Sequence, residues 1–79
     1  MDLSNRLVEI FSEVLGLDGK EINNQLSYHE SDKWDSLKHL ELVAAMEEAF
    51  DIEIEMDDII AMESFGKIRE ILGRYGVNV

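Results

Sequence analysis

Apolar residues recur at helical spacing in three segments of this 79-residue chain, and that period indicates a bundle of α-helices. In residues 3–15 the apolar side chains share one half of a helical wheel, and Gly16 follows as a natural stop. Residues 36–50 and 65–75 also have an apolar face at helical spacing, with Gly76 after the last segment. The predicted core faces consist of Leu3, Leu7, Val8, Ile10, Phe11, Val14, Leu15, Leu42, Val43, Met46, Ala49, Phe50, Phe65, Ile68, Ile71, Leu72 and Tyr75.

The first connection, residues 16–35, has no helical period and is rich in glycine, asparagine and serine. A loop of this length without anchors is uncommon in a compact domain. We therefore expect its apolar residues to pin it to the helices; these are Ile22, Leu26, Tyr28 and Trp34.

The second connection alternates apolar and acidic residues: Ile52, Ile54 and Met56 are separated by Glu53 and Glu55. This period is typical of a strand, but one short strand would have no partner in this chain. We predict instead an extended linker whose apolar side chains pack under the helices.

Side chains suited to capping precede the remaining helical segments. Asp57 or Asp58 is predicted to cap a short helical turn, and Ser64 to cap the last helix. The short turn would hold Ile59, Ile60 and Met62. The prediction is an all-α fold in one domain, residues 1–79: a small four-helix bundle of three main helices and one short helix, with a long first loop.

The charge of the chain restricts its partners. It has 18 acidic and 7 basic residues, a formal net charge of −11, and no cysteine. Such a surface repels nucleic acid and anionic membranes and attracts basic protein surfaces. No signal peptide or membrane-spanning segment is visible, so a cytoplasmic protein, monomeric and bound to neither nucleic acid nor membrane, is expected.

Ser36 lies between Asp35 and Leu37, immediately before the acidic second helix. A serine in this position is expected to be the N-cap, which accepts a backbone N–H bond. It could also be a site of covalent attachment, because backbone N–H groups and the helix dipole favour a phosphate at a helix start. The residues alone leave both interpretations open.

The second helix also has apolar residues away from its core face. Leu37 and Ala44 fall on the opposite side of the wheel, among Glu41, Glu47 and Glu48. The pattern predicts an exposed apolar spot ringed by carboxylates, which would suit a basic partner. The alternative is an incidental surface leucine, which is common.

Catalysis by the chain itself is not expected. His29 and His39 are its two imidazoles, and a hydroxyl nucleophile needs a base within hydrogen-bond reach. His39 follows Ser36 by three residues but falls toward the core side of the wheel, and no triad is evident. The chain is predicted not to be an enzyme.

The spacing of residues after Asp51 does not fit a calcium-binding EF-hand loop. The acidic residues alternate along 51–57 as in an EF-hand loop, which needs glycine at its sixth position and glutamate at its twelfth. Counted from Asp51, those positions hold Met56 and Met62.

Three runs of sequence together resemble the acyl carrier protein family: residues 34–37 (Trp-Asp-Ser-Leu), residues 40–43 (Leu-Glu-Leu-Val) and residues 46–50 (Met-Glu-Glu-Ala-Phe). The resemblance covers nearly the whole chain. It implies 4′-phosphopantetheine on Ser36, installed from coenzyme A by a phosphopantetheinyl transferase (holo-synthase). The arm would carry acyl intermediates as thioesters to acyl-loading, condensing and transferring enzymes of fatty acid, polyketide or modified-lipid biosynthesis.

The resemblance also implies roles for individual residues. Asp35 and Leu37 would be recognised by the transferase, and partner enzymes with basic docking surfaces would bind Leu37 and the residues Glu41, Ala44, Glu47 and Glu48. In such carriers the acyl chain can fold back between helices; the candidate lining is Leu42, Met46, Phe50, Ile54, Ile59, Met62 and Ile68.

The chain departs from the housekeeping fatty-acid pattern. It reads Ser31-Asp32-Lys33-Trp34 where that pattern has a leucine-glycine pair, and Lys38-His39 where an acidic residue usually follows the leucine. A specialised stand-alone carrier is therefore expected. The glycine-glycine pair of many peptidyl carriers is absent, which disfavours aminoacyl cargo. A peptidyl carrier and an acidic helical adaptor without covalent cargo are the alternatives.

Overall fold

The chain folds into four α-helices in the computed structural model, which describes residues 3–28 and 32–79. The helices are α1 (Leu3–Leu15), α2 (Ser36–Phe50), α3 (Met56–Ala61) and α4 (Phe65–Arg74). The all-α prediction and the bounds of the first two helices are confirmed. The last helix ends one residue earlier than predicted, and Tyr75 is its C-cap.

One continuous core joins the helices. Phe11 lies at its centre and packs edge-on against Trp34 and Phe65, with ring centroids 5.3 and 4.9 Å apart. The predicted core faces are confirmed except at Ala49, which is exposed. The buried residues are Leu7, Ile10, Phe11, Leu15, Leu17, Ile22, Trp34, Leu42, Val43, Met46, Ile54, Met62, Phe65, Ile68, Ile71, Leu72 and Val77.

The first loop is pinned to the body as predicted. Ile22 and Trp34 are buried, and Leu26 and Tyr28 are half-buried. An isolated antiparallel bridge joins Ser27 to Ser64, and the flanking backbone bonds run from Tyr28 N–H to Glu63 O (2.8 Å) and from Phe65 N–H to Leu26 O (2.9 Å). The loop also contains a 3-10 turn that its sequence did not indicate, Gly19–Glu21. His29 and Ser31 lie outside the described residues.

The linker after α2 has no regular secondary structure over residues 52–55, and only part of it packs under the helices. Ile54 is buried and Ile52 half-buried, whereas Met56 is 68% exposed, so the prediction for Met56 is wrong. The physical reason is that Met56 is the first residue of α3, and the helical turn ends the strand-like alternation.

The predicted cap of α3 is also wrong. Glu55 is the N-cap and makes no side-chain cap bond, while Asp57 and Asp58 lie within the first turn. The Asp58 carboxylate has other partners: it accepts hydrogen bonds from the hydroxyl of Tyr75 and the guanidinium of Arg74. It therefore joins α3 to the end of α4.

The predicted cap of α4 is confirmed. Ser64 Oγ accepts a hydrogen bond from the backbone N–H of Lys67 at 3.0 Å. Gly16 and Gly76 have φ values of +69° and +84°, the left-handed conformation that glycine adopts without a steric cost. Both glycines end their helices as expected.

Candidate functional site

The site is built at the start of α2, where the N-cap is Asp35 and not Ser36. Asp35 has an extended backbone, and its Oδ1 accepts the backbone N–H of Lys38 at 2.8 Å. Ser36 is the first helical residue. The cap prediction was wrong because both residue types can cap, and it is the conformation of the backbone that selects one of them.

The hydroxyl of Ser36 therefore has no capping role. The residue is exposed, and its Oγ lies 3.0 Å from the hydroxyl of Tyr28. An exposed primary hydroxyl can accept a covalent group without displacing core side chains. The contact with Tyr28 was not predicted, because the two residues are separated by part of a loop that has no periodicity.

The Tyr28 ring is fixed by two aromatic neighbours. It packs edge-on against Trp34 and His39, with ring centroids 6.0 and 5.5 Å away. Those two rings are themselves stacked at 5.9 Å with an interplanar angle of 25°. The side chain beside Ser36 is thus part of an aromatic cluster, which we define as Tyr28, Trp34 and His39.

His39 connects this cluster to α3. Its Nδ1 lies 3.0 Å from Trp34 Nε1, and its Nε2 lies 2.8 Å from the carbonyl oxygen of Ile59. Because an indole N–H only donates, Nδ1 is the acceptor, and Nε2 then carries the proton that Ile59 accepts. Both ring nitrogens are engaged within the protein, so His39 does not serve Ser36 as a base.

A surface pocket of about 330 Å³ opens beside the cluster. Most of its lining is apolar, and Tyr28 connects it to Ser36 through the hydroxyl contact. The residues that line it are Tyr28, His39, Ile59, Ile60, Met62 and Glu63.

The far side of α3 is held by polar bonds to α4. Tyr75 donates its hydroxyl to Asp58 Oδ2 and accepts the backbone N–H of Glu55 at 3.0 Å. The Tyr75 bond lowers the pKa of Asp58; partial desolvation opposes this, and Arg74 adds to the lowering. The same bond raises the pKa of Tyr75 above its ordinary value.

The acidic face of α2 is arranged largely as predicted. Leu37 is 67% exposed, and Ala44, Glu41 and Glu48 are exposed as well. Glu47 differs: it is half-buried, and its Oε2 accepts the backbone N–H of Ile54 at 2.8 Å. Its carboxylate therefore supports the linker after α2.

Three more apolar side chains are exposed near this face or on α3. Leu40 is 59%, Met56 68% and Ile60 69% exposed. Leu40 could have been identified from its spacing of three residues from Leu37, since such residues are neighbours on a helix surface. Met56 and Ile60 could not, because a short amphipathic segment does not reveal which face is covered.

Within the described ranges, 3–28 and 32–79, His, Asp and Glu side chains form no group of three or more that could hold a metal ion. In the same ranges, no helix combines the length and apolar character needed to cross a membrane.

In a comparison with protein families, the family described as "Phosphopantetheine attachment site" matches residues 5–74. The match includes all of the helices except the first two residues of α1. Domains of this family are carriers that bear covalently attached 4′-phosphopantetheine and work with a phosphopantetheinyl transferase and with partner enzymes. An exposed hydroxyl at the start of a long helix fits such an attachment, and the match over nearly the whole chain shows that this protein belongs to the phosphopantetheine attachment family.

Proposed function

We propose that Ser36 bears the 4′-phosphopantetheine group and that the protein is an acyl carrier for a specialised pathway, of the fatty acid, polyketide or modified-lipid kind. The observation that supports this best is the exposed hydroxyl of Ser36, which is the first residue of α2 and lies within the sequence Asp35-Ser36-Leu37. The capping function that a serine would otherwise have here belongs to Asp35.

The attachment is a phosphoryl transfer from coenzyme A. The Oγ of Ser36 forms a bond to the phosphorus that bears pantetheine, and the bond from that phosphorus to 3′,5′-adenosine diphosphate breaks. The hydroxyl proton passes to a base of the transferase, because both ring nitrogens of His39 are already engaged. This chain contributes the nucleophile and the surface that the transferase recognises, including Asp35 and Leu37.

When bound, the group supplies a thiol that holds the cargo as a thioester. The residues proposed to line a folded-back acyl chain lie in the core or at its edge: Leu42, Met46, Ile54, Met62 and Ile68 are buried, and Phe50 and Ile59 are half-buried. An acyl chain would have to separate these side chains, and the two flexible methionines would ease that rearrangement. The missing glycine-glycine pair favours acyl over aminoacyl cargo.

The partner surface is proposed to be the acidic face of α2. Leu37 supplies apolar area, and Glu41 and Glu48 supply the charge that attracts a basic enzyme surface. Ala44 leaves room for a partner side chain between them. Glu47 belongs to the proposed face by position, but its bond to Ile54 gives it a structural role as well.

Intact-mass measurement tests the attachment. The protein is incubated with coenzyme A and a broad-specificity phosphopantetheinyl transferase, and we expect a gain of about 340 Da, the mass of the transferred arm. Ser36→Ala should gain nothing, while Ser12→Ala, a serine replacement on α1, should gain the arm. A wild-type protein that remains unmodified under every transferase tried would overturn the proposal.

The second candidate is an acidic adaptor that binds a basic protein without covalent cargo. The net charge of −11 and the exposed Leu37 favour it as much as they favour the carrier. The same mass measurement separates the two, because an adaptor without covalent cargo would gain no arm. Its binding to a basic partner would also be unchanged by Ser36→Ala.

A further inference from the structure

We infer that Tyr28 is a positioning residue for the group attached at Ser36: its hydroxyl orients Ser36 Oγ before attachment and donates a hydrogen bond to the phosphodiester afterwards. This inference rests on the proposed function, since it assumes that Ser36 is the attachment residue.

The side chains of Tyr28 and Ser36 meet at their hydroxyl groups. The Tyr28 hydroxyl lies 3.0 Å from Ser36 Oγ, within hydrogen-bond distance, and it reaches Ser36 from a different segment of the chain. The serine side chain is exposed and could otherwise rotate freely. A bond to Tyr28 restricts it to one orientation.

Tyr28 itself is held at several points. Its backbone N–H donates to Glu63 O at 2.8 Å, and its ring packs against Trp34 and His39. The indole of Trp34 is buried and hydrogen-bonded to His39. A side chain fixed in this way positions its hydroxyl with little further loss of conformational entropy.

The chemistry of the modified serine determines the direction of the bond. In the apo chain either hydroxyl can donate. Once Ser36 Oγ is an ester oxygen it has no proton, so Tyr28 must donate, either to that oxygen or to a phosphate oxygen beside it. Hydrogen bonds to charged acceptors are stronger than those to neutral ones, so the contact gains strength when the anionic group arrives.

A neutral hydrogen-bond donor near Ser36 would stabilise the negative charge of the attached phosphodiester. The phosphodiester adds negative charge to a chain whose net charge is already −11, on the residue that follows Asp35 in the sequence. Lys38, a cation in the first turn of α2, has its Nζ 3.3 Å from Glu41 Oε2. His39 has both nitrogens engaged. Among the residues that the structure describes, Tyr28 places a hydroxyl donor within hydrogen-bond distance of Ser36 Oγ.

The test is Tyr28→Phe, which keeps the ring and removes the hydroxyl. We expect the variant to accept the arm, with kcat/KM for the transferase lowered about 3- to 10-fold, the range for one lost hydrogen bond. We also expect the ³¹P resonance of its phosphodiester to move away from the wild-type position. This second readout reports the environment of the phosphate and does not depend on turnover.

Tyr75→Phe is the matched control, since its hydroxyl bonds to Asp58 and Glu55 on the far side of α3. It should leave the ³¹P resonance and kcat/KM unchanged.

If Tyr28→Phe accepts the arm at the wild-type rate and has the wild-type resonance, the inference is wrong while the proposed function stands. If both tyrosine variants change equally, a loosened fold explains the effect and the inference is again wrong. A wild-type chain that gains no arm would instead refute the proposed function, and this inference with it.

Discussion

Trp34 donates its indole N–H to Nδ1 of His39 at 3.0 Å, and the indole is only 1% exposed. The other ring nitrogen of His39 donates to the carbonyl oxygen of Ile59 on α3. One imidazole therefore joins the end of the first loop, α2 and α3. These are the three segments that surround the proposed attachment site and its neighbouring pocket.

Replacing His39 by phenylalanine should lower the free energy of unfolding by about 1–3 kcal/mol, because it leaves a buried indole N–H without its acceptor. Urea unfolding followed by tryptophan fluorescence measures this directly, since Trp34 is the only tryptophan of the chain. Lys38→Ala, at the neighbouring position, removes only a surface ion pair with Glu41 and should change stability by less than about 0.5 kcal/mol. Equal stabilities of the two variants would contradict the bridging role of His39.

The cap of α2 can be assigned by a pair of substitutions. Asp35→Ala should cost about 1 kcal/mol, because its carboxylate accepts the Lys38 backbone N–H, whereas Ser36→Ala should cost less than about 0.5 kcal/mol. Thermal or urea unfolding monitored by circular dichroism gives both values. A larger loss for Ser36→Ala than for Asp35→Ala would reverse the assignment.

Two glycines of α4 should respond oppositely to alanine. Gly73 has open space where a Cβ would lie, so Gly73→Ala should raise the free energy of unfolding by about 0.5–1 kcal/mol. At Gly66 a Cβ would lie 3.1 Å from the backbone oxygen of Asn24, so Gly66→Ala should lower it by about 1 kcal/mol.

Both substitutions reduce the backbone entropy of the unfolded chain in the same way. The difference between their free energies of unfolding therefore reports the close approach of the first loop to α4. Equal stabilisation by the two alanines, measured by urea unfolding, would show that the loop can move away.

The bond between Asp58 and Tyr75 should make stability depend on pH. The folded-state pKa of Asp58 lies below its ordinary value of 3.8, so its contribution is full above that value and is lost as the pH falls through the folded-state pKa. The pKa of Tyr75 is raised above 10.0, so its contribution is present below that pH and is lost as the pH rises through the folded-state value.

Tyr75→Phe should therefore be less stable than wild type at neutral pH, with a gap that narrows as the pH is lowered from about 5 toward 2. Parallel urea unfolding of both proteins across this range gives the gap at each pH. A gap of constant size would mean that Tyr75 contributes only its packing.

The acidic face of α2 should affect the reaction with partner enzymes and not the fold. Leu37→Ala and Glu48→Lys should each lower kcat/KM for the transferase by roughly fivefold, corresponding to the loss of about 1 kcal/mol of binding energy. Glu48 is a better position for the charge reversal than Glu41, because Glu41 already forms an ion pair with Lys38.

Added salt should reduce the effect of Glu48→Lys and leave that of Leu37→Ala, since only the first is electrostatic. Glu13→Lys makes the same charge change at an exposed position of α1 and serves as the control. If Glu13→Lys slowed the reaction as much as Glu48→Lys does, net charge rather than a docking face would be responsible.

Local pattern and backbone preference were enough to predict the helices. The apolar period of α1 and α2, the serine cap of α4 and the glycines after α1 and α4 each depend on neighbours within a few residues, which the order of residues specifies directly. The exposed Leu37 was predicted for the same reason. The position of Ser36 allowed an attachment site, and the resemblance to acyl carriers favoured it over a cap.

The hydrogen bonds that the sequence did not predict were decided mainly by contacts between segments. That Glu47 bonds to Ile54 and that Asp58 bonds to Tyr75 both depend on which of several suitable partners the packed backbone brings within about 3 Å. The contact between Tyr28 and Ser36 belongs to the same class. The choice of Asp35 over Ser36 as the cap of α2 depends on the backbone conformation at the start of that helix. A hydrogen bond needs two groups at one distance and angle, and for groups on separate segments only the assembled core sets that distance.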